Sequence, residues 1–146
     1  MKKRVANILL VDDSKSDQVI VQRALEDGRI ACELAIAENG REALSRLDEI
    51  RQSKEKMFPD IILMDINMPV MGGKQALEFI RNDDDLKHIP VIMLTTSNRD
   101  KDILESYELG VNAYLTKPVN HLDFVVAIQR LEQFWFELIA LPPSRL

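Results

Sequence analysis

Five side chains able to do chemistry each stand directly behind a short apolar run. Asp12 and Asp13 follow Ile8-Leu9-Leu10-Val11, Asp65 follows Ile61-Ile62-Leu63-Met64, Thr95 follows Val91-Ile92-Met93-Leu94, and Lys117 follows the stretch Ala113-Tyr114-Leu115. Three carboxylates gathered at a low-dielectric edge repel one another, so at neutral pH they need either raised pKa values or a cation. Oxygen ligands without His or Cys favour a hard ion. Mg²⁺ typically takes one or two carboxylates and keeps waters that phosphate oxygens can replace. Asp65, set between a metal and a lysine, could attack phosphorus and form an acyl phosphate. Mg²⁺, the Lys117 ammonium and the Thr95 hydroxyl could then share the charge of the phosphoryl oxygens. Each signal is weak alone, because a strand-end Asp or Thr, or a Lys before Pro, is usually an ordinary surface residue. Their joint placement behind four apolar runs is far more specific.

The elements that must position these groups can be read from punctuation and period. The stretch P-D-I-I-L-M-D-I-N-M-P-V-M-G-G, residues 59–73, is an apolar run closed by Asp65, Pro69 and Gly72-Gly73. Such runs are typical of parallel strands covered on both faces, whose ligands gather at the carboxyl ends. Ser14 or Ser16 can cap a first helix carrying Val19, Ile20, Ala24 and Leu25, which Gly28 stops. A second strand is expected over Cys32 to Ala37, then a helix after Asn39-Gly40 with Ala43, Leu44, Leu47 and Ile50 on one face. Residues 51–56 are charged and aperiodic, a solvated connector. Ala76, Leu77, Phe79 and Ile80 mark a third helix and residues 82–88 a loop. Pro90 to Leu94 forms the fourth strand; Ile103, Leu104, Tyr107 and Leu109 mark the fourth helix; the last helix starts near Asn120. Strand and helix alternate five times, which implies an α/β fold, a parallel sheet with helices on both faces.

Composition narrows the function classes. With 146 residues, 46% hydrophobic and 29% charged, the chain suits one globular domain, 1–146, with a core over about 7–130 and a C-terminal extension over about 131–146. A net charge of -5 argues against a nucleic-acid surface. No stretch nears the ~18 apolar residues of a membrane span, and the start Met1-Lys2-Lys3-Arg4 lacks a signal peptide's uninterrupted apolar run and cleavage site. A lone Cys32 excludes an internal disulfide and a thiolate metal site. The expected location is cytoplasmic. His88 and His121 read as surface residues, and Met64, Met68, Met71, Met93 and Tyr107 as packing.

D-D-S after the first strand, L-M-D-I-N-M-P-V-M-G-G at the third, L-T-T-S at the fourth and Y-L-T-K-P at the fifth resemble the receiver domain of two-component response regulators. The match covers about residues 7–130. The resemblance implies a flavodoxin-like doubly wound five-stranded sheet in the order 2-1-3-4-5 with five helices. It makes Asp65 the phosphoacceptor, gives Mg²⁺ to Asp12, Asp13, Asp65 and the Asn67 carbonyl, and assigns phosphoryl binding to Lys117. Thr95 would hydrogen-bond the phosphoryl group and shift with it, Tyr114 would change rotamer in step, and Thr96 sits beside that switch. A cis Lys117-Pro118 peptide is also implied. The phosphoryl donor would be a sensor histidine kinase.

Receivers usually continue into an effector domain. This sequence runs to Leu146, so the expected output is protein binding, dimerisation or onward phosphotransfer. The mobile face implied by the resemblance is the fourth helix, fifth strand and fifth helix. Beyond it lie Leu131, Phe134, Trp135, Phe136, Leu138, Ile139 and Leu141, then Pro142-Pro143. Successive helical residues point about 100° apart, so Phe134, Trp135 and Phe136 cannot all face one core, and an exposed aromatic patch marks an interface, a homodimer among the options. Folding back onto the same domain is the competing expectation. The long segment between strands two and three and the F-W tail are similar to single-domain receivers paired with bacterial phytochromes. Three rivals fit less well. An aspartate-nucleophile phosphatase resembles a D-x-D pattern, but Asn67 holds the second position; a nucleotide binder would meet repulsion from Asp12-Asp13; a pseudo-receiver usually lacks one of these acids.

Overall fold

A computed structural model describes residues 5–28 and 30–138. The expectations at Met1 to Arg4 and at Ile139, Leu141 and Pro142-Pro143 lie outside the described residues. The strands are β1 (Ala6–Val11), β2 (Cys32–Ala37), β3 (Ile61–Met64), β4 (Val91–Thr95) and β5 (Ala113–Thr116). The helices are α1 (Lys15–Glu26), α2 (Gly40–Gln52), α3 (Gly73–Arg81), α4 (Asp100–Glu108) and α5 (His121–Gln133), the last running into a π-helical turn, Phe134–Leu138. The strands pair in parallel as β2-β1-β3-β4-β5.

The apolar runs split by parity, because successive strand side chains point to opposite faces. Leu9, Val11, Ile62, Met64, Val91 and Met93 pack with Ala43 and Leu47 of α2 and Ala76, Leu77 and Ile80 of α3. Ile8, Leu10, Ile61, Leu63, Ile92 and Leu94 pack with Ile20, Val21, Ala24 and Leu25 of α1 and Phe124 and Ile128 of α5. β1, β3 and β4 are therefore covered on both sides. The caps follow the sequence: Ser14, Asn39 and Asn120 each accept a first-turn amide hydrogen bond, the Asn39 one from Glu42 at 2.9 Å.

Several expectations need correction. Tyr107 is 49% exposed rather than core, and Phe79, Leu104 and Val19 are exposed too. For α4 the reason is that its inward face is polar: Asp102 and Ser106 are the residues it buries, so Leu104 and Tyr107 point outward. The tail divides as the 100° rule demands. Trp135 and Phe136 fold back against Ile8, Leu25, Ile61 and Ile128, whereas Phe134 is 48% exposed. Two of the three interface candidates are thus occupied by the chain's own core. No peptide bond among the described residues is cis, so the Lys117-Pro118 bond is trans, the ordinary lower-energy state.

Candidate functional site

The carboxyl edge of the sheet is built by backbone ladders that continue one residue past their strands. The Asp12 amide donates to the Ala37 carbonyl at 3.0 Å, the Asp65 amide to the Val11 carbonyl at 2.9 Å, and the Lys117 amide to the Thr95 carbonyl at 2.7 Å. Three site residues are therefore set by the same hydrogen bonds that set the strand register. The loop after Asp65 returns tightly, with the Gly73 amide donating to the Ile66 carbonyl at 2.8 Å. A Cβ on Gly73 would lie 2.0 Å from the Asp65 carbonyl oxygen, so only glycine lets α3 start against the strand end.

The Lys117 ammonium is the hub. It donates to Asp12 Oδ2 at 2.6 Å, Asp17 Oδ2 at 2.8 Å and Asp65 Oδ2 at 3.2 Å, with its side chain 3% exposed. Burial by itself would lower its pKa, but the hydrogen bonds to Asp12 and Asp17 outweigh that and hold the ammonium above the ordinary lysine value. Burial pushes the Asp12 carboxyl up despite the Lys117 bond, with the Asp65 charge adding to the rise. One ammonium does not balance the acids around it.

Carboxylate oxygens of Asp12, Asp13 and Asp65 lie within 4.8 Å of one another, a spacing one cation can bridge. Asp12 is held by the Ser14 amide at 2.9 Å on its Oδ1, while the Gln18 side-chain amide donates to its carbonyl at 2.7 Å. Asp65 Oδ1 accepts from the Ile66 amide at 2.7 Å, Asp13 and Asn67 are exposed, and the donor set is all oxygen. These residues fit a hard divalent ion, and the excess of acid over base gives the ion an electrostatic reason to bind.

Beside this edge lies a second charged network. Asp102 is buried and accepts from Lys74 Nζ at 2.6 Å, Ser97 Oγ at 2.5 Å and Arg99 Nε at 3.3 Å. Those bonds, that from Lys74 above all, hold its carboxyl well below the usual range. Tyr114 donates its hydroxyl to the Ser97 carbonyl at 2.8 Å, and Thr95 Oγ1 accepts from the Ser97 amide at 3.4 Å. Thr95 is buried as the last residue of β4, and Thr96 is exposed.

The structure brings Asp12, Asp13, Asp65 and Lys117 to one point and places Thr95, Thr96 and Tyr114 around the adjoining loop. Phe134, Trp135 and Phe136 lie apart from it, on the α5 extension. Sequence reasoning missed Asp17, Gln18 and the Lys74–Asp102 pair. For Asp17 a signal existed: an acid in the first turn of a helix that begins just after Asp12-Asp13 must stand near the same edge.

A five-stranded parallel sheet in this order, with clustered acids and a lysine at its carboxyl edge, is the arrangement expected of a receiver domain. Residues 8–129 match the response regulator receiver domain, and the chain belongs to that family. It is 42% identical to the response regulator Rcp1 of Synechocystis sp. over 94% of this chain and 93% of that protein. The crystal structure of the Mn²⁺-bound form of Rcp1 covers 94% of this chain and 99% of its own, with a TM-score of 0.86 and 42% identity. That of the phosphorylated cyanobacterial phytochrome response regulator RcpA covers 95% and 99%, with a TM-score of 0.87 and 36% identity.

Proposed function

We propose that Asp65 accepts a phosphoryl group from a phosphohistidine of a sensor histidine kinase and that the phosphorylated chain signals through a protein partner, through dimerisation or by onward phosphotransfer. The observation that carries this reading is the contact of the buried Lys117 ammonium with Asp65 at the strand edge. An Asp65 carboxylate oxygen bonds to phosphorus as the histidine N–P bond breaks, and the electron pair of that bond returns to the imidazole. Lys117 exchanges its Asp65 contact for a phosphoryl oxygen, and the Thr95 hydroxyl donates to another. Asp12, Asp13, Asp65 and the Asn67 carbonyl would hold Mg²⁺, which when bound supplies positive charge for the phosphoryl oxygens. The chain acts only on its own acyl phosphate, forming and losing it, and is not a turnover enzyme.

Thr95, Thr96 and Tyr114 constitute the switch in this reading. Phosphorylation adds about -1.5 to -2 charges at the edge, and a Thr95 hydroxyl drawn toward them releases the Ser97 amide it now accepts from. The likeness to a phytochrome response regulator supports a bacterial phytochrome as the kinase. Exposed Leu104 on α4, Val119 after β5, Leu122 and Val126 on α5 and Phe134 beyond it support a homodimer across that face. A cytoplasmic location accompanies a kinase that draws on ATP. Among the described residues no helix is long and apolar enough to cross a membrane.

Intact mass after incubation with acetyl phosphate and Mg²⁺ tests the acceptor. One added phosphoryl group, absent with EDTA and in Asp65→Asn, is the expected result; an adduct that persists in Asp65→Asn refutes the assignment. Sedimentation at micromolar concentration tests the dimer, and a monomer in both phosphorylation states removes it.

A further inference from the structure

The first turn of α1 carries an acid that touches the phosphoryl-binding lysine without belonging to the metal cluster. Asp17 Oδ2 accepts from Lys117 Nζ at 2.8 Å, closer than Asp65 at 3.2 Å. Asp17 is absent from the group of Asp12, Asp13 and Asp65 whose oxygens could share an ion. Its place is set by the helix start, where its amide donates to the Ser14 hydroxyl at 3.3 Å. An ammonium has three N–H donors, and here Asp12, Asp17 and Asp65 use all of them.

We propose that Asp17 is a positioning residue that acts through Lys117, competing with the phosphoryl group for the ammonium and so weakening the phosphorylated state. The inference rests on the reading of Asp65 as acceptor. When Asp65 is phosphorylated, the donor released by Asp65 is free for the phosphoryl oxygens; with the shorter bond to Asp12 kept, a second becomes available when Asp17 lets go. Asp17 also adds a like charge beside an incoming dianion, whereas Asp12 and Asp13 stand where a cation would offset theirs. The Asp17 side chain is 23% exposed, so water screens part of this effect and the competition is partial. A partial competitor sets how readily the site fills and empties rather than whether it fills.

A structural role for Asp17 predicts something different. An acid in the first turn favours the helix dipole, and losing it lowers thermal stability but leaves anion binding at Lys117 alone. The discriminating measurement is a beryllofluoride titration with Mg²⁺, read from the fluorine-19 resonance of the bound acyl-phosphate mimic. Asp17→Asn, nearly identical in shape, is expected to lower the half-saturating concentration about three- to ten-fold, the range of one like charge removed at partly screened distance. Asp17→Ala is expected to lower it at least as far, and Asp17→Glu to return it toward wild type. An unchanged or raised midpoint in Asp17→Asn, with Mg²⁺ affinity as in wild type, overturns the proposal. Failure of the wild-type chain to bind the mimic overturns instead the acceptor reading on which it rests.

Discussion

The Tyr114 hydroxyl donates to the Ser97 carbonyl at 2.8 Å, tying the fifth strand to the loop that follows the fourth. That loop is held from its other side, where Ser97 Oγ meets Asp102 at 2.5 Å and Asp102 meets Lys74 of α3. The segment between Thr95 and α4 is therefore latched to two neighbouring elements in the conformation described. Any motion of Thr95 toward a phosphoryl group must work against this latch.

Asp102→Ala should destabilise the fold by about 2–3 kcal/mol, the cost of losing hydrogen bonds between charged groups. The pH dependence follows from the lowered Asp102 pKa. A folded-state pKa below the unfolded value gives stability that is full above the ordinary carboxylate range, about 3.9, and is lost as pH falls through the folded value. Urea midpoints of wild type and variant should differ by a constant amount from pH 7 to pH 5 and converge only at stronger acid. A gap that closes already at pH 5 would contradict the lowered pKa.

Lys117→Met should expose the imbalance of charge at the strand edge. Without the ammonium, Asp12 and Asp65 face each other with no basic side chain between them, and metal-free stability at pH 7 should fall by about 3 kcal/mol. Burial already raises the Asp12 pKa, and the variant raises it further, so the folded state binds more protons than the unfolded one and stability falls as pH rises. The loss should therefore be smaller at pH 5 than at pH 7 in guanidinium titrations. Adduct formation from acetyl phosphate should slow about 10²-fold or more.

Val70 stands at φ 67°, a left-handed conformation that a β-branched residue adopts at a cost. Its side chain is exposed in the loop that returns from Asp65, so no packing is lost on removing it. Val70→Gly should raise stability by about 1 kcal/mol, read as a higher midpoint in thermal melts. A lower midpoint would show that the loop does not hold this conformation in solution.

Trp135 and Phe134 are neighbours with opposite fates. Trp135→Ala should cost about 2–3 kcal/mol through lost packing on Ile8, Leu25 and Ile61, and Phe134→Ala less than 1 kcal/mol. Trp135 Nε1 is buried with no hydrogen-bond partner among the described residues, so Trp135→Phe should be close to neutral. Equal losses at positions 134 and 135, in thermal melts at low protein concentration, would mean that Phe134 is covered as well.

The amino-acid sequence alone determined the sheet and the acids at its edge. Parallel strands buried on both faces must be continuous apolar runs, and the residue that ends each run is held by the ladder itself, as the Asp12, Asp65 and Lys117 amides show. What lies across from those residues depended on how the helices cross the sheet, which no local pattern carries. Only the tertiary structure put Asp17 against Lys117 and Lys74 against Asp102, contacts separated by 100 and 28 residues. It also turned the polar side of α4 inward, leaving Tyr107 in solvent, and seated Trp135 and Phe136 on the core while Phe134 stayed outside. Helical period sets the angles between side chains, but the direction a helix faces is decided by its neighbours.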